Sequence, residues 1–239
     1  MAIKGFFFDL GGTLFSYRNV ARTNIPILIE SVRAMGASAD EDTIKKSYTL
    51  ATRQISQQYA DKAYYRHHDM FQDIYQRFCE LVEANYDAKT HRYYHEIQQA
   101  ALSKCLEIKP DCVTTLRFLQ ARGLYTSIVS NIDDDMLEPL VEREGLAAHL
   151  NHWTSSEAAL SCKPDQRFFA VALEKSGLSA EQVLFVGDSP EHDIVGANRA
   201  EMNTVLIVED GIEAPLQTRR RSVEPNHLIH ALNELKTLI

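Results

Sequence analysis

The sequence predicts an α/β fold: a parallel sheet covered by helices on both faces, with an all-helical segment inserted after the first strand. Two observations carry this expectation. Short apolar runs bounded by turn residues recur along the 239 residues, and helical patterns separate several of them. Such runs suit buried parallel strands. Between about Tyr17 and Lys104 the alternation stops, and apolar residues fall at helical spacing without a convincing strand. The length fits one large domain or two small ones, and a 45% hydrophobic content is enough for a sizeable core.

The first strand is Gly5–Phe8, "GFFF". Helices follow. "IPILIESVRAMG" ends in Gly36, a helix stop. "ADEDTIKKSYTLATRQISQQYA" has an acidic first turn, a helix-start signal. "DMFQDIYQRFCELVEANY" places Met70, Ile74, Phe78, Leu81 and Val82 on one face. His91 and His95 have the i, i+4 spacing of a helical metal pair, but no glutamate completes an HExxH pattern, so they read as an ordinary helix face. The segment is read as four or so helices in a bundle. The α/β pattern resumes near Lys109-Pro110 and leads to a strand at Tyr125–Ser130. "DDDM" at Asp133–Met136 starts a helix, where acidic residues suit the dipole. A weaker strand near Leu150–Thr154 and firmer ones at Val183–Val186 and Thr204–Val208 complete the sheet.

The formal net charge of -8 predicts no broad basic surface, which argues against nucleic acid as the main partner. A small anionic substrate remains compatible with it, because a local site can be positive on a negative surface. No signal-peptide pattern opens the chain, and no apolar run approaches the roughly 20 residues that span a bilayer. The cysteines Cys79, Cys105, Cys112 and Cys162 form no CxxC pair and read as structural thiols of a reducing cytosol. A cytoplasmic protein, monomer or homodimer, with no membrane partner is expected.

Four pieces carry chemistry, each at or just after a strand end, where open α/β sheets bind ligands. Asp9 is followed by Gly11, Gly12, Thr13 and Leu14. Its carboxylate suits a nucleophile or a metal ligand, and the glycines allow close backbone approach. In "YTSIVSN", Ser130 and Asn131 offer a hydroxyl and backbone N–H groups to an anion. In "SCKPD", the Lys163 ammonium could neutralise an anion or a nearby carboxylate. In "VLFVGDSPEHDIVGA", Asp188 and Asp193 flank a turn into a helix and suit a hard cation such as Mg²⁺. Singly, each piece also fits a turn, a helix cap or a solvated charge.

In this order the motifs closely resemble those of the haloacid dehalogenase (HAD) superfamily of hydrolases. "FFFDLGGTLF" resembles its first motif, "YTSIVSN" its second, "SCKPD" its third and "FVGDSPEHD" its fourth. The resemblance implies a Rossmann-like core over 1–15 and 105–239 and a helical cap over 16–104 that closes over the site. It implies Asp9 as covalent nucleophile, with Ser130 and Lys163 holding the phosphoryl group and Gly12, Thr13 and Asn131 beside the substrate. It implies Mg²⁺ held by Asp9, the Gly11 carbonyl and Asp188, with Asp193 in support.

Most phosphatases of this superfamily carry a second aspartate two residues after the nucleophile, which protonates the leaving alkoxide. Here that position is Gly11. Such acid–base help is worth about 10²–10⁴-fold. Three readings follow: a substrate with a good leaving group or a C–halogen or C–P bond, a replacement acid, or a protein that binds without turning over. Candidate replacements are Tyr17, His67, His68 and Asp69, with His67 and His68 unable to share a helix face. Superfamily dehalogenases usually have tyrosine at this place and work without metal. Phosphonoacetaldehyde-cleaving relatives have alanine there and need a cap lysine, for which Lys45, Lys46 and Lys62 are available. The expected activity is a Mg²⁺-dependent phosphatase acting on a small phosphorylated metabolite. A haloacid dehalogenase or phosphonate-type hydrolase is the alternative, and a catalytically impaired binding protein a further one.

Overall fold

The first strand, β1 (Gly5–Phe8), lies at the centre of a six-stranded sheet in the computed structural model of the chain. The structure describes residues 2–85, 87–212 and 224–239; Met1, Tyr86 and 213–223, which the sequence reading assigned to core and insertion, lie outside the described residues. The other sheet strands are β4 (Tyr125–Ser130), β5 (His152–Ser155), β6 (Val183–Gly187), β7 (Asn203–Ile207) and β8 (His227–Ile229). Their order is β5-β4-β1-β6-β7-β8, and every pairing is parallel. The chain fills one side of β1 with β4 and β5, then returns to fill the other. That reversal opens a crevice at the carboxyl end of β1.

Alternation along β1 explains why the sheet is covered on both faces. Phe6 and Phe8 enter one core with Ile128, Leu184 and Val186. Phe7, pointing the other way, joins Val129, Phe168, Phe169 and Phe185 in a second core. The helices α5 (Cys112–Gln120), α6 (Asp134–Arg143), α7 (Ser156–Ala159), α8 (Gln166–Ser176) and α9 (Val195–Arg199) supply the covering side chains.

A two-stranded antiparallel ribbon, β2 (Phe15–Ser16) with β3 (Glu107–Ile108), marks where the chain leaves and re-enters the sheet domain. Between them stand α1 (Val20–Ala34), α2 (Glu41–Tyr59), α3 (His67–Leu81) and α4 (Ala88–Cys105). Their apolar faces meet in a third core that includes Leu28, Ile55, Met70, Ile74, Tyr75 and Phe78. Asp40 caps α2, its carboxylate accepting from Thr43 N at 2.7 Å, as the acidic start led one to expect. Helix α1 begins five residues before the apolar run that signalled it and carries Pro26 inside, so no N–H from Pro26 reaches the carbonyl of Arg22.

Two strands differ from expectation. β5 starts at His152, because its pairing with β4 begins at Ser127 opposite His152. β8 gave no signal: it is an edge strand of three residues of which only Ile229 is buried. No helix among the described residues is long and apolar enough to cross a membrane.

Candidate active site

Asp9 continues β1 by one residue, its N–H donating to the Val186 carbonyl at 2.9 Å. The strand ladder thus delivers a carboxylate to the mouth of the crevice with 7% exposure. Ser130 is the last residue of β4, and its hydroxyl donates to Asp9 Oδ1 at 2.9 Å. The Lys163 ammonium donates to the same oxygen at 2.6 Å, to Asp193 Oδ1 at 2.6 Å and to the Val129 carbonyl at 3.0 Å. All three of its donors are therefore engaged. Burial alone would drive the Lys163 proton off, but Asp193 and Asp9 outweigh it and raise the pKa, so the ammonium stays charged.

Asp188 follows β6, and a π-helical turn, Pro190–Ile194, carries Asp193 back beneath it. Asp193 Oδ2 accepts from Ser189 N at 3.0 Å. One carboxylate oxygen from each of Asp9, Asp188 and Asp193 lies within 4.8 Å of the others. Burial, then repulsion from Asp9 and Asp193, raises the pKa of Asp188 well above the carboxylate range. Burial also raises Asp193, to about 6, although Lys163 opposes it. An all-oxygen set of mutually repelling carboxylates fits a hard divalent cation, which would relieve that repulsion.

A folded-state pKa raised above its unfolded value adds stability below the unfolded value of 3.8 and loses it as the pH passes about 6. At neutral pH in chelator the Asp188 and Asp193 carboxylates therefore cost stability. Asp188→Asn is expected to raise the Tm of the chelated protein, each kcal/mol amounting to about 2–4 °C for a chain of this size. A lower Tm in scanning calorimetry would refute the repulsion.

The loop after Asp9 explains the glycine at position 11. A β-carbon on Gly11 would collide with the Tyr17 hydroxyl. A β-carbon on Gly12 would meet the Asp188 carboxylate and the Tyr17 ring, and Gly12 also has a φ of +73°. The Tyr17 phenol thus occupies the space into which a side chain at position 11 would project. Burial first, then the charges of Asp188, Asp9 and Asp193, raise its pKa, which keeps the phenol protonated.

Asn131, expected to touch substrate, lines the same cavity but uses its amide to hold the lysine loop. Its Oδ1 accepts from Lys163 N at 2.7 Å, and its Nδ2 donates to the Lys163 carbonyl at 3.0 Å. Gly12 and Thr13 are buried and are not among the residues that line the cavity. Among the candidate acids, His67, His68 and Tyr17 line it, whereas Asp69 does not. Of the two neighbours His67 is buried, whereas His68 is exposed. Both stand in the first turn of α3, whose N-terminus points at the crevice, so neighbouring side chains fan around the helix end. His91 and His95, read as an ordinary helix face, turn inward against Tyr75 and His68. Lys45 pairs with Glu41, Lys62 lies over the Tyr59 ring, and neither they nor Lys46 line the cavity.

Three contributors escaped the sequence reading. The Lys109 ammonium, buried, donates to the Gly12 carbonyl and faces Glu209 at 3.8 Å, which pins the glycine loop from below. Asp133 does start its own helix, α6, as expected, and its carboxylate in addition accepts from His67 N at 2.9 Å and His68 N at 2.8 Å, capping α3 across the crevice. Burial opposes its charge, yet the bonds from His67 and His68 prevail and lower its pKa. His192 lines the crevice, and burial pulls its pKa down to about 4, so it is neutral at pH 7. Position next to a motif could have flagged Asp133 and His192; nothing local marks Lys109.

A family model described as a haloacid dehalogenase-like hydrolase matches residues 3–201. The chain is 24% identical over 235 residues to the ribulose-1,5-bisphosphate 5-phosphatase of Halopiger xanaduensis, covering 97% of both proteins. It is 25% identical over 249 residues to (S)-2-haloacid dehalogenase 4A of Burkholderia cepacia, covering 100% of this chain and 95% of that one. In fold it is similar to a HAD hydrolase of Bacillus subtilis solved with magnesium, with a TM-score of 0.77 at 19% identity over 100% and 99% of the two chains.

Proposed function

The chain belongs to the haloacid dehalogenase-like hydrolases, and from that premise we propose that it is a Mg²⁺-dependent phosphatase working through a covalent intermediate on Asp9. The observation that carries this reading is the cluster of Asp9, Asp188 and Asp193 with Lys163 between two of them. An attacking carboxylate and a phosphoryl group repel each other, and a cation beside both removes that obstacle. Asp9, Asp188 and the Gly11 carbonyl would hold Mg²⁺, with Asp193 behind them, and the ion supplies positive charge against the phosphoryl oxygens.

Ser130 and Lys163 fix Asp9 through Oδ1, which assigns the attack to Oδ2. A bond forms from that oxygen to phosphorus as the bond to the leaving oxygen breaks, and the electron pair departs with the leaving group. The Lys163 charge, anchored beside Asp9, offsets the charge of the transferring phosphoryl group, and the Ser130 hydroxyl would turn its proton from Asp9 to a phosphoryl oxygen. Water then attacks phosphorus, the Asp9–phosphorus bond breaks, and inorganic phosphate leaves while the water's proton passes to solvent. The helical insertion, docked through Asp133, shields these steps from bulk water.

Gly11 supplies no proton to the leaving oxygen, so groups of low pKa are favoured. The test compares p-nitrophenyl phosphate and acetyl phosphate with alkyl phosphates, in Mg²⁺ and in EDTA. Mg²⁺-dependent turnover of the first two is expected, with alkyl phosphates about 10²–10⁴-fold slower. Turnover undiminished in EDTA would remove the metal from the scheme.

Restoring the acid should reverse that preference only if space is made for it. Gly11→Asp alone is expected to inactivate the protein, because the new side chain runs into Tyr17. Gly11→Asp with Tyr17→Ala should regain turnover and raise alkyl phosphate hydrolysis relative to p-nitrophenyl phosphate by about 10²-fold or more. An active single variant would show that Tyr17 does not hold this space.

Carbon–halogen hydrolysis is the second reading, supported by the missing acid at Gly11 and the full-length similarity to the Burkholderia cepacia dehalogenase. Against it, a departing halide needs a positive cradle away from Asp9. Lys163, already shared by Asp9 and Asp193, is the one lysine or arginine among the described residues that line the cavity. Halide release from a 2-haloacid in EDTA would favour this reading.

A further inference from the structure

Beside Asp9 the crevice opens into a cavity of about 310 Å³ between the sheet and the helical insertion. That volume is at the small end of ligand cavities, which run about 300–1,000 Å³. The insertion's side of the cavity is largely aromatic and aliphatic, with Tyr48, Tyr65, Phe71, Ile74 and Leu102, interrupted by the uncharged amides of Asn24 and Gln99 and by His67 and His68; Met136 adds to it from the sheet side. Among the described residues no arginine lines the cavity, and its single lysine sits at Asp9. The further charges on the sheet side are acidic: Asp133 is held by α3, and Asp135 is exposed. A second anionic group on a substrate, whether carboxylate or phosphate, would leave water for a wall whose described residues offer no arginine or lysine beyond Lys163. Burying a charge without a partner is heavily unfavourable.

We propose that this cavity selects a small aryl phosphate monoester, one phosphoryl group on an uncharged aromatic body. The proposal rests on the phosphatase reading and narrows it. A second observation, independent of the wall, points the same way. The space beside Gly11 is filled by the Tyr17 ring, so no carboxyl group protonates the leaving oxygen. A phenolate leaves without that help far more readily than an alkoxide. The aromatic wall and the missing acid thus select the same leaving group: Tyr48, Tyr65 and Phe71 offer ring faces and edges to an aromatic body. Asp9 oxygen bonds to phosphorus, the phosphorus–aryl oxygen bond breaks, and the phenolate takes its proton from water.

The test uses two probes of similar size, 4-methylphenyl phosphate and 4-carboxyphenyl phosphate, on the full-length protein with Mg²⁺. The carboxylated phenol is the better leaving group, so chemistry alone favours the second probe. The wall should reverse that order, with kcat/KM at least about tenfold higher for the methyl compound, since a tenfold effect is only 1.4 kcal/mol. Calorimetric titration of both probes into the Asp9→Asn variant should give Kd values in the same order. Equal or reversed Kd values overturn the proposal, whatever the rates. Ordered Kd values with no phosphate released from either probe by the unsubstituted protein would retain the cavity's preference and overturn the phosphatase reading. No release and no order would overturn both.

Discussion

Asp9→Asn is expected to release no phosphate above background from p-nitrophenyl phosphate or acetyl phosphate, a loss of roughly 10⁴-fold or more. The amide has the shape of the carboxylate and can still accept from Ser130 and Lys163 through its oxygen, so the fold should survive. What disappears is the negative oxygen that bonds to phosphorus. An unchanged Tm with lost turnover separates chemistry from folding. A variant that keeps full activity would move the reaction off Asp9 and end the covalent scheme.

The second large effect is expected at Lys163, where structure and catalysis are coupled. Its side chain is 1% exposed and bridges Asp9 and Asp193 at 2.6 Å each. Lys163→Met would leave two carboxylates facing each other without a cation. Breaking a buried pair in this way costs about 3–5 kcal/mol, or roughly 6–20 °C in Tm. Turnover should fall at least about 10²-fold, because a charge aimed at the transferring group is gone. Adding Asp193→Asn removes one of the stranded charges and should restore much of the Tm without restoring turnover. A single variant with the original Tm would mean that the bridge does not hold this site together.

Both predictions concern residues that the sequence already marked, and the reason is local. Strands announce themselves by short apolar runs, so β1, β4 and β6 were visible within a residue or two, and Asp9, Ser130 and Asp188 stand at or just past their ends. The insertion was visible through its change of period and the acidic start of α2. β8 was invisible because an edge strand with one buried residue needs no apolar run. The start of α1 was missed because Pro26, a common first-turn residue, lies inside the helix here.

Residue types and their order along the chain were thus enough to reveal the sheet, the inserted helices and the carboxylates, lysine and serine of a hydrolase. Their partners were not. The bonds that build the site join residues 97, 121 and 154 positions apart: Lys109 to Gly12, Ser130 to Asp9 and Lys163 to Asp9. No local period encodes such pairs; they arise when β1, β4 and the segments that follow β3 and α7 are brought together. The same holds for the Tyr17 ring beside Gly11, for the Asp133 carboxylate capping a helix other than its own, and for a largely apolar wall with a single lysine among its described residues. Periodicity reports which way a side chain faces its own element, and only packing between elements decides what it meets there.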